Sequence, residues 1–321
     1  MKKKKFIIVL SIVVVLLVVA YGAVGNYFYN FALNAQEEKD FLEGNEHLQE
    51  SEAVVASVAE AEDWADEEFA KENEPSDLTI VSQDDLELAL HADVYENDEA
   101  NHKWAIVTHG YSGRASHMTR WVRNFHDKGY NVLAPDLRGH GESEGNYIGM
   151  GWHDRLDMLQ WIDEIIQKDS EAEIVLLGVS MGGATVMMTS GEELPSNVKV
   201  IVEDCGYSTV SGVFTYQLKD LFNLPEFPVI NAADTVAKMR AGYGLYEASA
   251  VEQVAKSKTP MLFIHGDQDS FVPYEMLDEV YEAAQVEKEK LVIEGAGHGE
   301  AVTVNPALYW NTVWGFVDKY M

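Results

Sequence analysis

The chain has 321 residues, 47% of them hydrophobic, and a formal net charge of −31. This length supplies one large α/β domain or two smaller ones. So large an excess of acidic side chains argues against binding to nucleic acid or to an anionic lipid surface. The single cysteine, Cys205, rules out an internal disulfide and argues against a thiolate metal site.

Residues 1–31 are predicted to form a membrane anchor. Four lysines precede a nearly unbroken apolar run from Phe6 to Val24, and a helix of that length is about 28 Å long, close to the hydrocarbon thickness of a bilayer. Aromatic residues follow at positions 27, 28, 29 and 31, as expected at a membrane interface. The lysines keep the N-terminus inside, so we expect the rest of the chain outside the cell. The alternative is a secreted protein whose signal peptide is cut near Ala23, although this apolar run exceeds the usual signal length.

Residues 32–77 are predicted to form an acidic, solvated stalk. Between Glu37 and Asp77 there are sixteen acidic residues and two lysines, a composition that disfavours a packed core. Apolar residues such as Val54 and Phe69 recur at helical spacings within it. Part of the stalk is therefore expected to be a helix laid against the body.

From residue 78 to residue 321, short apolar runs alternate with amphipathic stretches, a pattern that predicts an α/β domain with a mostly parallel sheet of eight strands and helices on both faces. Two antiparallel edge strands are expected first, at 78–82 and 86–95. The other strands are predicted at 104–109, 130–136, 173–180, 198–204, 260–266 and 290–295. Helices are predicted at 115–128, 150–168, 181–190, 274–285 and 306–320.

Two serines fit the pattern G-x-S-x-G, Ser143 in GESEG and Ser180 in GVSMG. Ser180 directly follows the apolar strand IVLLG and precedes the small-residue helix start GGATVMM, so it lies on a sharp strand-to-helix turn, the usual setting of a nucleophile. Ser143 lies in a glycine-rich loop with no helix directly behind it. We therefore predict that Ser180 is the nucleophile and that GESEG is a chance match, in a loop tied down by Asp136, Arg138 and His140.

A serine hydroxyl needs a base near neutral pH, and the base needs an orienting acid. His298 in GAGHGE and Asp269 in HGDQDSFVP each follow a predicted strand. Because the carboxyl ends of parallel strands meet at one edge of a sheet, both side chains are expected to reach Ser180. Three other acids lie in comparable places and stay open as alternatives for the orienting role: Asp267, Glu203 and Asp204.

The tetrahedral intermediate of such a reaction also needs hydrogen-bond donors for its negative oxygen. The backbone N–H of Met181, at the start of a helix, is predicted to be one of them. The loop HGYSG after the strand at 104–109 offers the N–H of Tyr111 as the second.

The segments HGYSG, DLRGHGESEG, GVSMGG, HGDQDSFVP and GAGH, in this order, resemble the α/β-hydrolase superfamily over roughly residues 78 to 320. More narrowly, the apolar anchor, the acidic stalk and the run from Tyr216 to Tyr243 resemble bacterial membrane-anchored hydrolases related to serine aminopeptidase-like and Bem46-like proteins. The resemblance implies an α/β-hydrolase fold and a chemistry without metal or other cofactor. It also implies the same five site residues: Ser180, Asp269, His298, Tyr111 and Met181.

The segment at about 207–247 is apolar and is expected to form a small helical cap over the site. A modest apolar cap suits a short acyl chain, so the leading prediction is a serine esterase that cleaves small carboxylic esters through an acyl-serine intermediate. A peptidase, amidase or thioesterase with the same triad is the alternative among enzymes, because fold-level kinship does not select among them. A catalytically idle surface binding module is the alternative of another class. The sequence makes no prediction about oligomeric state.

Overall fold

A single sheet of eight strands forms the centre of the computed structural model, which describes residues 2–98 and 101–321. The strands are β1 (Ser76–Val81), β2 (Ala89–Tyr95), β3 (Lys103–Thr108), β4 (Asn131–Pro135), β5 (Glu173–Val179), β6 (Val198–Asp204), β7 (Met261–Gly266) and β8 (Lys288–Ile293). Their order across the sheet is β1-β2-β4-β3-β5-β6-β7-β8. Strand β2 is antiparallel to β1 and to β4, and the other paired strands are parallel. The predicted eight-stranded, mostly parallel sheet is confirmed.

The central strands are apolar along almost their whole length because both faces of the sheet are covered. In β5 every residue after Glu173 is buried, and in β7 all of them are. Successive side chains of a strand point to opposite faces. Leu176 therefore belongs to the core on one face, whereas its neighbour Leu177 belongs to the core on the other.

Helices cover both of these faces. They are α1 (Lys2–Ala32), α2 (Ala56–Glu72), α3 (Thr119–Asp127), α4 (Asp154–Lys168), α5 (Met181–Thr189), α6 (Val210–Phe222), α7 (Glu226–Arg240), α8 (Ala250–Val254), α9 (Glu275–Ala283), α10 (Ala301–Val304) and α11 (Pro306–Val317). Helices α4 to α9 pack on one face, and α2, α3, α10 and α11 contribute to the core on the other.

The parallel arrangement gathers the loops that carry the predicted site. Strands β3, β5, β6, β7 and β8 run in the same direction, so their carboxyl ends lie along one edge of the sheet. The loops that follow β3, β5, β7 and β8 contain Tyr111, Ser180, Asp269 and His298. Helices α6 and α7, which we call the cap, follow β6 at the same edge and fall within the segment predicted to cover the site.

Helix α1 combines an exposed apolar part with a packed end. From Lys3 to Ala32 it is long and apolar enough to cross a membrane, and its side chains are exposed up to Val24. From Gly25 onward it packs against α7 of the cap. Tyr29 and Leu33 are almost fully buried in the main core.

The acidic segment after α1 contains a helix that lies on the body. Helix α2 packs along α3, and Phe69 is buried in the core. The carboxylate of Asp66 accepts hydrogen bonds from the Nε atoms of Arg120, at 2.9 Å, and Arg123, at 2.7 Å. Two further acidic side chains of α2, Glu62 and Asp63, pair with the same arginines. The division of the chain at residues 31 and 77 stays a prediction.

Candidate active site

The turn between β5 and α5 holds Ser180 in a strained backbone conformation. Its φ of 57° and ψ of −117° lie where side chains other than glycine rarely occur, at a cost on the order of 1–3 kcal/mol. The flanking glycines are needed for contact between the strand and the helix. A Cβ on Gly178 would lie 2.1 Å from the carbonyl oxygen of Gly182, and one on Gly182 would lie 2.2 Å from that of Thr108.

The structure brings the side chains of Ser180, His298 and Asp269 into one hydrogen-bonded line. The Oγ atom of Ser180 is 2.8 Å from Nε2 of His298, and Nδ1 of His298 is 2.7 Å from Oδ2 of Asp269. The Asp269 side chain is fully buried and that of His298 is nearly so. This arrangement is the one in which a carboxylate orients an imidazole that accepts the proton of a serine hydroxyl.

The Asp269 carboxylate is fixed by more than its bond to the imidazole. Its Oδ1 atom accepts hydrogen bonds from the backbone N–H groups of Phe271 and Val272, both at 2.9 Å. On the other side, Nε2 of His265 lies 3.1 Å from Oδ2. Burial acts to raise the pKa of Asp269, but the two histidines beside it outweigh burial and hold that pKa well below its usual range. Asp269 is therefore an anion at neutral pH.

The pKa of the His298 imidazole is shifted in the opposite direction, upward. Burial acts to lower its pKa, but the neighbouring Asp269 carboxylate stabilises the imidazolium, and the net effect is a pKa raised above the ordinary 6.5. The charges of Asp204 and Glu300 act in the same sense. A raised pKa makes the imidazole a stronger proton acceptor once it is neutral.

The other acids considered from the sequence make different contacts. Oδ1 of Asp267 accepts the N–H of Gly295 at 2.7 Å, as expected of an aspartate that closes a turn. Glu203 accepts the N–H of Gly206 at 3.0 Å and is buried. The carboxylate of Asp204 is also buried, which raises its pKa to about 6, and it acts on His298 only through its charge. Among the described residues, Asp269 is the acid whose carboxylate is hydrogen-bonded to His298.

The loop that carries GESEG is a buried network around Asp136. Ser143 donates its hydroxyl to the carbonyl of Asp136 at 2.6 Å and accepts the N–H of His91 at 2.8 Å. The Asp136 carboxylate accepts the N–H groups of Ala115 and Glu142. With both of its hydrogen-bonding directions occupied by backbone groups, the Ser143 hydroxyl braces the loop.

Arg138 holds the same loop to α4. Its guanidinium makes two hydrogen bonds to Asp157, of 2.8 and 2.6 Å, and a third to Tyr147. His140 is buried beside His109, and burial lowers the pKa of each imidazole, that of His109 to about 3. Both rings are therefore neutral parts of the packing.

The predicted oxyanion donors belong to the two loops that meet at Ser180. The N–H groups of Tyr111 and Met181 have no hydrogen-bond acceptor within the described ranges 2–98 and 101–321. Met181 begins α5, where the helix dipole adds positive potential. The residue before Tyr111 lies against the serine, since a Cβ on Gly110 would be 3.7 Å from Ser180 Oγ. The role of these two N–H groups as oxyanion donors stays a prediction.

Among the residues that the structure describes, two groups of three side chains place candidate ligand atoms within 4.8 Å of one another. One consists of Cys205, Asp269 and His298, but the pKa of the buried Cys205 thiol is raised well above its usual range, which disfavours the thiolate that binds metals. The other consists of Asp77, His91 and Asp93. Nδ1 of His91 already lies 3.1 Å from the Asp136 carboxylate. A mechanism without metal therefore stays our prediction.

Ser180 faces an apolar cavity between the cap and the edge of the sheet that carries the loops of Ser180, Asp269 and His298. Its lining combines cap residues with residues from the end of α1. The contribution of α1 was not predicted from the sequence. Within the described chain, no Asp, Glu, Lys or Arg side chain lines this cavity. His265, at the end of β7, contacts Asp269, and its position in the sequence could indicate only a packing or loop-bracing residue.

Comparison with known proteins agrees with this fold. The model of the family described as "Serine aminopeptidase, S33" matches residues 99–203. The chain is 28% identical over 215 residues to "Uncharacterized protein YqkD" of Bacillus subtilis, covering 67% of this chain and 70% of that protein. It is 25% identical over 231 residues to a "Probable dipeptidyl-peptidase 5" of Emericella nidulans, of which it spans 31%.

Solved structures of other proteins share this fold. Esterase Pf2001 of Pyrococcus furiosus superposes with a TM-score of 0.64 at 24% identity, over 78% of this chain and 94% of that one. The acylaminoacyl peptidase of Pyrococcus horikoshii superposes with a TM-score of 0.57 at 17% identity, over 76% of this chain and 41% of that one. The chain has the α/β-hydrolase fold, as its motifs predict, and its resemblance to serine aminopeptidase-like proteins agrees with the family match.

Proposed function

We propose that this protein is a serine hydrolase that cleaves carboxylic esters through an acyl-Ser180 intermediate. The observation that carries the proposal is the hydrogen-bonded line from Ser180 Oγ through His298 to the buried Asp269 carboxylate. A strained turn that exposes a serine to an apolar cavity supports the same chemistry.

The reaction follows from the positions of these groups. His298 Nε2 takes the proton of Ser180 as Oγ attacks the ester carbonyl, and the N–H groups of Tyr111 and Met181 bind the resulting oxyanion. The imidazolium then protonates the leaving alcohol, which departs with the C–O bond electrons. Water, deprotonated by the same imidazole, attacks the acyl-enzyme and releases the carboxylic acid. Asp269 keeps Nδ1 protonated throughout, so that Nε2 is the atom that accepts and returns the proton.

The cavity supports esters over peptides as substrates. A binding site for a free amino terminus needs a carboxylate, and the described lining of the cavity contains none. An apolar lining instead suits an acyl chain. Peptide hydrolysis is the second candidate, favoured by the match to the serine aminopeptidase family.

We further propose that the enzyme stays attached to a membrane through α1, with its catalytic domain outside the cell. The helix is long enough to span a bilayer, and the lysines at its start favour an N-terminus inside. The test is protease treatment of intact cells, which cleaves the domain if it is outside and leaves it protected if it is inside. Recovery of free protein that begins near Ala23 would favour a cleaved signal instead.

Kinetics on two substrate series test the proposed reaction. The full chain is expected to hydrolyse p-nitrophenyl esters much faster than aminoacyl p-nitroanilides, and Ser180→Ala is expected to hydrolyse neither. Faster turnover of the anilides would make the protein a peptidase. Equal background rates for wild type and Ser180→Ala would indicate a binding module without catalysis.

A further inference from the structure

The end of helix α1 is part of the wall of the cavity that Ser180 faces. Five of the six residues from 28 to 33 line this cavity: Phe28, Tyr29, Phe31, Ala32 and Leu33. The facing wall comes from the cap, including Phe222 of α6 and Ala233 of α7. The segment that begins as a membrane-spanning helix therefore ends as part of the substrate pocket.

This wall is joined directly to the catalytic loops. The hydroxyl of Tyr111 donates to the carbonyl of Ala32 at 2.7 Å, and the backbone N–H of Tyr111 is the proposed oxyanion donor. The carbonyl of Leu33 accepts the N–H of Ile148 at 2.8 Å. The end of α1 is thus held in one position relative to Ser180.

No spacer separates the membrane-spanning part of α1 from the pocket. The apolar run ends at Val24, and Phe28 lies four residues later, about 6 Å along the helix axis at 1.5 Å per residue. The cap packs on the helix over the same stretch. A Cβ on Gly25 would lie 2.3 Å from the carbonyl oxygen of Ala232, and the hydroxyls of Tyr21 and Thr235 are 3.2 Å apart. The cap therefore lies at the level where α1 leaves the bilayer.

The end of α6 packs on α1, and the residues that follow it, up to the start of α7, include exposed apolar side chains. Phe222, at the end of α6, stacks edge-on against Phe28 and lies 6.5 Å from the ring of Tyr27. Beyond it, Phe227 is 76% exposed and Leu224 is 38% exposed. Exposed apolar side chains beside a spanning helix suit contact with the bilayer surface.

Residues 39–54, which we call the crossing segment, cover the catalytic loops next to the end of α1. Phe41 packs on Phe31 with ring centroids 4.6 Å apart. Nδ1 of His47 lies 2.7 Å from the hydroxyl of Ser270, next to Asp269. The N–H of Ser51 donates to the carboxylate of Glu300, near His298, at 2.9 Å. The cavity is therefore bounded by α1, the cap and Phe41 of the crossing segment.

We infer that the substrate is a lipid ester resident in the bilayer, whose acyl chain passes along α1 and the cap into the cavity. This inference rests on the proposed ester hydrolysis and replaces the small soluble ester expected from the sequence with a membrane amphiphile. The hydrolysed bond is the same, and the released products are a fatty acid and the alcohol of the lipid.

The test uses the full chain reconstituted in phosphatidylcholine vesicles and two probes. One is 1-palmitoylglycerol in the same vesicles, followed by the fatty acid released, and the other is water-soluble p-nitrophenyl acetate. Wild type is expected to have the higher kcat/KM on palmitoylglycerol. Phe227→Asp is expected to lower the palmitoyl rate about tenfold, because it removes the apolar area of one aromatic side chain from the bilayer surface, and to keep acetate hydrolysis, since Phe227 does not line the cavity.

Trp64→Asp is the matched control, because Trp64 is 65% exposed on α2, away from the cap. It is expected to leave both rates unchanged. A second variant, Phe28→Ala, acts on the cavity wall and is expected to lower the ratio of palmitoyl to acetate hydrolysis. Wild type that cleaves acetate but not palmitoylglycerol, or a Phe227→Asp variant that affects both probes equally, would overturn the inference alone. A fluorophosphonate reacts covalently with a nucleophilic serine hydroxyl. Wild type that cleaves neither probe and is not labelled by a fluorophosphonate would overturn the proposed function itself.

Discussion

Replacing Asp269 with asparagine reverses the hydrogen-bond pattern around the imidazole of His298. In the wild type, Oδ1 accepts two backbone N–H groups, from Phe271 and Val272, and Oδ2 faces Nδ1 of His298. An asparagine keeps its single oxygen toward the two N–H donors, because its NH2 group has nothing to donate to there. The NH2 group then faces His298, which must accept at Nδ1 and carry its proton on Nε2. An imidazole in that tautomer cannot take the proton of Ser180.

The expected loss is large because the wrong tautomer removes general-base catalysis. In the serine protease triad the same substitution lowers kcat by about 10⁴-fold. At 1.36 kcal/mol for each factor of ten, that corresponds to about 5.5 kcal/mol of lost transition-state stabilisation. We expect a loss of this size for Asp269→Asn, since Asp269 is buried and water cannot replace its carboxylate.

The assay is steady-state hydrolysis of p-nitrophenyl acetate, with folding checked by circular dichroism. Asp267→Asn is the matched control, because it makes the same chemical change two residues away. Its remaining oxygen can still accept the N–H of Gly295. We expect that variant to keep its turnover. An Asp269→Asn protein that is folded and loses less than about tenfold in kcat would refute the assigned role of the carboxylate.

Three further outcomes are expected. Ser143→Ala should keep its turnover but lower the free energy of unfolding by about 1–3 kcal/mol, measured in urea, because it leaves buried backbone groups unpaired; a loss of turnover like that of Ser180→Ala would contradict this. The raised pKa of His298 should place the acidic limb of kcat/KM above pH 6.5, since activity is lost when the imidazole is protonated as the pH falls, and a limb below 6.5 would contradict it. Arg138→Met should cost about 3–5 kcal/mol of stability, measured by urea unfolding, because it leaves Asp157 buried without its partner; a cost near zero would contradict it.

The strands and the site loops could be read from the sequence because their signals are local. Apolar runs without alternation mark several strands as buried on both faces, and all eight predicted strands are present in the structure. Ser180 could be told from Ser143 by the strand before it and the helix behind it. The five predicted site residues follow four strands that end at one edge, so the architecture alone brings them near one another.

Other features could not be read because they depend on contacts between distant segments. Composition describes residues 37–77 as acidic, but it does not indicate that Asp66 lies between Arg120 and Arg123. Aromatic residues after a spanning run fit a membrane interface, and nothing local distinguishes that role from lining a pocket, as Phe28 does. The choice among the four acids likewise depended on which carboxylate meets the imidazole.

The central claim is that the hydroxyl of Ser180 becomes covalently acylated during turnover. A fluorophosphonate traps such a hydroxyl, and digestion followed by mass spectrometry locates the adduct. The proposed mechanism predicts one modified peptide, containing residue 180, in the native full chain and no adduct in Ser180→Ala or in heat-denatured protein. An adduct on the peptide with Ser143, or native protein that stays unlabelled, would contradict it.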